Sequence, residues 1–399
     1  MKKGLQLVVF LLIYSLTVNS QVNRYGTPLI GWFDAAQTPG ELRNLCITMD
    51  HSGVMYFGNE AGGIVTYDGS RWGLIRTPGT TAVTSLVTDA RGIVFAGGKN
   101  DFGILQPDDA GRMTYLSMAS RTGDSLIASS IGIIRGSAAD SNSVFFTDGR
   151  RLYSLGRDDD SVLVTDMEKE YGLSNISVIV AFDDRIIIAD DREGIFAYSD
   201  GRVDRITGGE SMAPARFVKL IPYDRDNLLI GASGKELMLF NIRTGALNQR
   251  FSDRAAASLM KNGSLADLAL IPGNMIAAGF QSRGGISIFS RDGTLVQHIS
   301  ERTTALRESS VTAMYCDYKS NSQLWFCTRG FINRAFVSLP ASEFSQESGL
   351  ISVAGTITGH AGSVYAGTDN GLYINYTDAS GTRRFRRAGD HNVSVNAMI

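Results

Sequence analysis

The stretch Val54-Met55-Tyr56-Phe57-Gly58, a turn over residues 59–62, then Gly63-Ile64-Val65-Thr66-Tyr67 and Asp68-Gly69-Ser70-Arg71-Trp72 decides how the chain is read. Both runs are filled with β-branched and aromatic residues, and the turn between them is short, so they form an antiparallel hairpin. Asp68-Gly69 then turns the chain into a further strand at Trp72. The first run recurs as Ile93–Gly97, Val144–Asp148, Ile186–Asp190, Leu228–Ala232, Met275–Gly279, Leu324–Thr328 and Val364–Thr368, which with Val54–Gly58 makes eight copies. The second run recurs beside each, for example as Gly194–Tyr198, Gly285–Phe289 and Gly371–Ile374. A further strand precedes every hairpin, near Leu45, Val83, Ile131, Val178, Val218, Leu268, Val311 and Val353.

The copies are spaced by roughly forty to fifty residues, and almost no 3.6-residue periodicity intervenes. A lone four-stranded sheet cannot bury both of its faces, whereas sheets stacked around an axis bury them against one another. The expected class is therefore all-β: a single β-propeller of seven to eight four-stranded blades, with repeats starting near 44, 82, 130, 175, 215, 265, 310 and 350. An open β-sandwich or solenoid is the alternative. Small residues such as Gly58, Gly97, Ala189, Gly231, Ala278 and Gly367 are expected where strands of neighbouring blades come closest. Ser394-Val395-Asn396-Ala397-Met398 nearly reproduces Ser310-Val311-Thr312-Ala313-Met314, so a ninth repeat begins at 393. Either that strand returns to the first blade, or the chain is the N-terminal fragment of something longer; the second is preferred, because residues 21–43 are available as a closing strand.

Residues 1–20 read as a signal peptide: Lys2 and Lys3 precede an apolar run from Leu5 to Val18, and Val18-Asn19-Ser20 suits cleavage before Gln21. The mature chain is thus expected on the periplasmic or extracellular side, with no membrane span beyond the signal peptide. With 43% hydrophobic and 20% charged residues, disorder is excluded as an overall description. The 38 Lys+Arg against 40 Asp+Glu leave a net charge of −2, which lacks the basic footprint of a nucleic-acid binder. Cys46, Cys316 and Cys327 are too few for a disulfide scaffold. A hairpin turning near Asn321-Ser322 would set Cys316 opposite Cys327, but a direct cross-strand bridge is strained and free thiols are preferred.

No catalytic constellation is found. His51, His298, His360 and His391 are scattered, and neither His-Glu-x-x-His nor Gly-x-Ser-x-Gly occurs. The aspartate runs Asp158-Asp159-Asp160, Asp183-Asp184 and Asp190-Asp191 lack an alternating calcium-ligand order and read as solvated turn residues. No metal, cofactor or catalytic residue is expected. Propeller geometry offers a better guide, since second-to-third turns and blade links share one face around the channel mouth. On those turns Asn59, Lys99, Asp101, Arg150, Asp191, Arg192, Lys235, Arg283, Arg329 and Asp369 are the candidate ligand-binding residues, able to meet hydroxyl or carboxylate groups.

The order Gly53–Asn59 followed by Gly63–Trp72 resembles the repeat of the two-component regulator propeller family. The copy built on Gly97–Gly103 and Gly111–Ser117 is similar to the subgroup whose members carry a triple-tyrosine domain; Thr368–Tyr373 fits the repeat well, while Cys327 stands where the family often has glycine. The resemblance implies an extracytoplasmic sensor region that receives a small molecule, an oligosaccharide or a protein. It also implies a transmembrane helix and an output module, neither of which this chain contains, and no catalysis by the propeller. Two rivals stand beside that reading: a secreted glycan hydrolase or lyase using carboxylates such as Asp101, Asp191 and Asp369, and a protein-binding scaffold.

Overall fold

The structure, a computed structural model, describes residues 27–398 apart from 42, 157–160, 249–250, 252–263, 305, 317–322, 338–342, 345, 379–382 and 390–392. The signal peptide and the run Asp158-Asp159-Asp160 lie outside the described residues. The rest forms eight antiparallel four-stranded sheets, as the eight repeats imply, and the architecture is that of a β-propeller. Second strands such as Met55–Asn59, Val94–Gly98 and Met275–Phe280 are buried along their whole length. Being covered on both faces, they read as nearly continuous apolar runs. Outer strands such as Arg202–Arg205 meet water and are polar.

Seven sheets close into one ring. Their inner strands are Asn44–Met49, Val83–Thr88, Gly136–Ala139, Ile176–Phe182, Phe217–Pro222, Leu265–Ile271 and Val311–Cys316. Seven hydrophobic clusters fill the seven spaces between consecutive blades, and the one between blades seven and one joins Ile47, Phe57 and Val65 to Ala313, Trp325 and Ile332. Across that seam the Thr312 hydroxyl donates to the Asn44 carbonyl at 2.6 Å. The outer strand of blade seven comes from the far end of the chain: Ile30–Phe33 pairs antiparallel with Ile332–Phe336, Phe33 facing Ile332. Phe33 thereby enters an aromatic group with Trp72 (5.1 Å between centroids), Tyr67 (5.7 Å) and a parallel Trp325 (6.2 Å). Sequence-distant ends are thus held by burial as well as by backbone bonds.

The close approach between blades has a local cause. Six of the seven ring inner strands carry a register shift after their first residue, as between Asn44 and Cys46 or Leu265 and Asp267. Such bulges bend the strand and increase its twist. Opposite the shifted residue stands a small one. A Cβ at Gly58 would lie 2.4 Å from Cys46 Sγ and 2.8 Å from the Val83 carbonyl oxygen on the next blade, and one at Gly97 would lie 2.5 Å from Ile134 Cγ2. In blade six the tight residue is Gly279, beneath Val311, rather than Ala278, which faces Leu268.

The eighth sheet, with strands Ala354–His360, Ser363–Thr368, Gly371–Thr377 and Arg383–Arg387, stands outside the ring. Its cluster of Ala366, Tyr373 and Phe385, with Phe344, Leu350, Ala354 and Val364, contains no residue of the seven ring sheets. Val353 and Ile357 remain 87% and 68% exposed. Residues 394–398 lie along this sheet and not on blade one: the Val395 N–H donates to the Thr368 carbonyl at 2.9 Å. Gly367 meets Val395 as Gly58 meets Val83, with a Cβ there falling 2.6 Å from the Val395 carbonyl oxygen.

The expected juxtaposition of Cys316 and Cys327 does not form. Cys316 pairs with Leu324 and Cys327 with Ala313, because the hairpin register is three residues off from the one assumed. None of the three cysteines is in a disulfide, and burial pushes the Cys46 thiol up to about 12 and that of Cys327 well above its usual range. Cys46 and Cys327 are thus held as protonated thiols that pack like small apolar groups.

Candidate functional site

Backbone bonds hold five of the second-to-third turns of the ring against the starts of their own inner strands. The N–H of Glu60 donates to Arg43, that of Lys99 to Ala82, Asp191 to Asn175, Ser233 to Arg216 and Gln281 to Ser264, at 2.8–3.3 Å. Turns and blade links therefore share one face. The opposite face carries first-to-second turns braced by aspartates: Asp50 accepts from the N–H groups of Ser52 and Val54, and Asp89 from Arg91 and Ile93.

The structure sorts the candidate residues by what they already bind. Asn59 is fully buried, its amide donating to the Glu41 carbonyl and to Asn44 Oδ1. Asp191 accepts from the Ser177 hydroxyl (2.7 Å) and the Phe217 N–H (3.0 Å), tying blade four to blade five. Asp101 accepts from the Ser117 hydroxyl at 2.6 Å; burial raises its carboxyl above the usual range, against the lowering by Ser117, Tyr115 and the Phe102 N–H. Arg150 pairs with Glu168 at 2.8 Å, and the Lys235 ammonium donates to the carbonyls of Met212 and Pro214. Asp369 is on the eighth sheet, away from the ring mouth. Lys99, Arg192, Arg283 and Arg329 remain, exposed on blades two, four, six and seven and without an ion pair among the described residues. Asp190, read as solvated, is buried and accepts from the N–H groups of Asn175, Arg192 and Glu193, so it shapes the turn. Asp183 and Asp184 are exposed turn residues.

Two hollows go with this face. The axial channel, about 440 Å³, is walled by all seven inner strands. Its lining includes Ser85 and Ser137 in mutual hydrogen bond (2.6 Å) and an ion pair between Lys219 and Asp267 (3.1 Å). Asp267 also accepts the N–H groups of Leu268 and Met314, so one carboxylate joins blades five, six and seven. A second hollow of about 460 Å³ lies at blade six, between the turn at Gln281–Gly284 and the link at Ser300–Ser309, with Arg283, Arg302 and His298 in its wall. Burial lowers the pKa of His298, whose Nδ1 sits 3.1 Å from Ser287 Oγ, so its imidazole is neutral near pH 7. On the closing strand, Trp32 packs edge-on to Phe331 and is covered by the Arg307 guanidinium at 3.5 Å. Among the described residues no cluster of three His, Cys, Asp or Glu could hold a metal ion.

Similar folds occur among solved structures. The extracellular domain of the putative hybrid two-component system BT4673 from B. thetaiotaomicron is 19% identical with a TM-score of 0.58, over 92% of this chain and 49% of that one. That of BT3049 from the same organism is 17% identical with a TM-score of 0.63, over 90% and 52%. The fold is that of these extracellular domains. This chain spans about half their length. A streptogramin B lyase is 15% identical with a TM-score of 0.62, over 77% of this chain and 97% of its own. No protein-family model and no curated protein matches the chain.

Reading turns alone missed Lys219, Asp267, His298 and Arg302. The first two could have been found by aligning first strands: Val218-Lys219-Leu220 and Ala266-Asp267-Leu268 place charges where other copies have Cys46, Ser85, Val178 or Ala313. His298 and Arg302 lie in an outer strand and a link, where the repeat carries no shared pattern.

Proposed function

We propose that this chain is the ligand-receiving propeller of a transmembrane signalling regulator, exported from the cytoplasm and binding a small molecule or oligosaccharide on its turn face. The extent of the fold likeness carries the reading. The sensor domains take in 90–92% of the chain, a share that cannot be reached without the eighth sheet, whereas the lyase aligns over 77%, about the length of the ring alone. The eighth sheet, with Val395 seated over Gly367, serves as the opening blade of a second ring, and the half-length match to the sensor domains supports that role. The output module would belong to the remainder of such a protein. The enzyme rival drew on Asp101, Asp191 and Asp369, which stand on blade two, blade four and the eighth sheet, the first two bonded within the ring.

Thermal unfolding of the purified exported protein against a panel of neutral and acidic oligosaccharides tests this reading. A bound ligand at a hundredfold excess over its Kd adds about 2.7 kcal/mol to stability, raising the midpoint, and is recovered intact. A panel without any shift, or recovery of a cleaved sugar, overturns it.

A further inference from the structure

The blade-six hollow carries more than a general polar turn does. We propose that it is an anion subsite, in which Arg283 and Arg302 hold a carboxylate or sulfate group of a polyhydroxylated ligand; this rests on reading the turn face as the ligand-binding face. Its volume of about 460 Å³ falls within the range of small-molecule sites, about 300–1,000 Å³.

The electrostatics favour an anion because Arg283 and Arg302 outnumber Glu301, the one carboxylate in the wall, which is bonded to the backbone of the link. Glu301 Oε1 accepts the Ser309 N–H at 2.8 Å, while Glu308 accepts the N–H groups of Ser310 and Arg329. These acids stabilise the backbone of the link and form no ion pair with either arginine. Elsewhere on the protein, arginines near turns find acidic partners, as in Arg43–Glu60, Arg150–Glu168 and Arg205–Glu193. Two planar guanidiniums facing one hollow suit the paired oxygens of a carboxylate or sulfate. Gln281 and Ser282 in the same wall can meet hydroxyl groups.

The backbone supports a role for the Arg283 side chain. Ser282 and Arg283 sit at φ 54° and 66°, the left-handed region, in a turn closed by Gly284 N–H to the Gln281 carbonyl at 3.0 Å. Glycine suits that conformation best, and an arginine there is strained. The Arg283 N–H is pinned by Ser310 Oγ at 3.0 Å, a contact that any residue but proline would make. The fold thus asks for glycine at 283, and the arginine is explained by what its side chain reaches.

Calorimetric titrations of the full exported chain with tetragalacturonate, a sulfated disaccharide and neutral maltotetraose test the subsite. One of the two acidic probes binds at least tenfold more tightly than the neutral one, more weakly at high salt, and the stronger of them names the group. Arg283→Ala and Arg302→Ala each weaken that binding tenfold or more. Arg283→Gly weakens it equally while raising the melting midpoint by about 1–2 °C, a combination that a purely structural arginine does not give. Equal affinity for acidic and neutral probes, or undiminished binding by Arg283→Gly, overturns the subsite and leaves the sensing reading intact. If none of the three probes binds, the subsite fails; if the wider oligosaccharide panel also gives no shift, the sensing reading fails with it.

Discussion

Replacing Trp325 by alanine lowers the unfolding free energy of the ring by about 3–5 kcal/mol, read as a fall in the urea midpoint at unchanged slope. The side chain is 5% exposed and sits where blade seven meets blade one. Its ring lies 5.7–6.2 Å from those of Phe33, Phe57 and Tyr67, so truncation opens a cavity shared by both blades and by the closing strand. Ring closure makes that loss global, since every blade depends on both neighbours for burial. Phe385→Ala, in the separate cluster of the eighth sheet, is the control and leaves the ring transition in place. A change under about 1 kcal/mol for Trp325→Ala would mean that the seam does not hold the ring together.

Asp267→Ala costs about 3 kcal/mol, by a different route. Asp267 is 9% exposed, and its carboxylate accepts the N–H groups of Leu268 and Met314 besides facing the Lys219 ammonium. Alanine strands two backbone donors and an ammonium in the channel wall, and unsatisfied buried groups cost about 1–3 kcal/mol each. Asp267→Asn keeps an acceptor oxygen and recovers part of the loss. In a double-mutant cycle with Lys219→Met, most of the cost persists, because the ammonium is partly exposed and the two amides are the larger debt. If Lys219→Met alone matches Asp267→Ala, the ion pair and not the backbone acceptor holds the three blades.

The hairpins were legible because strands covered on both faces must be apolar throughout and must end in a turn, and Val54–Tyr67 has both features. The count of ring blades was not, because repeat copies look alike whether or not they share an axis. What separates the eighth copy is that Ile30–Phe33, within the segment 21–43 open to a closing strand, occupies the outer edge of blade seven; which blade it joins, over some three hundred residues, no local pattern encodes. In the candidate site, turn positions could be picked out from the repeat, but not which side chains were already engaged. Asn59 and Arg283 look equally polar in sequence. Burial against Glu41 and Asn44 consumes the one, and a left-handed turn projects the other into a hollow.

The central claim, that ligand is received on the face of second-to-third turns, is tested most directly by hydrogen exchange of the full chain with and without its best-binding oligosaccharide. Ligand slows exchange at 281–284, 300–304 and 306–310, with little change at 50–54, 89–93 and 140–143 on the opposite face. Protection confined to those opposite turns, or to the exposed strand Ala354–His360 of the eighth sheet, would contradict it.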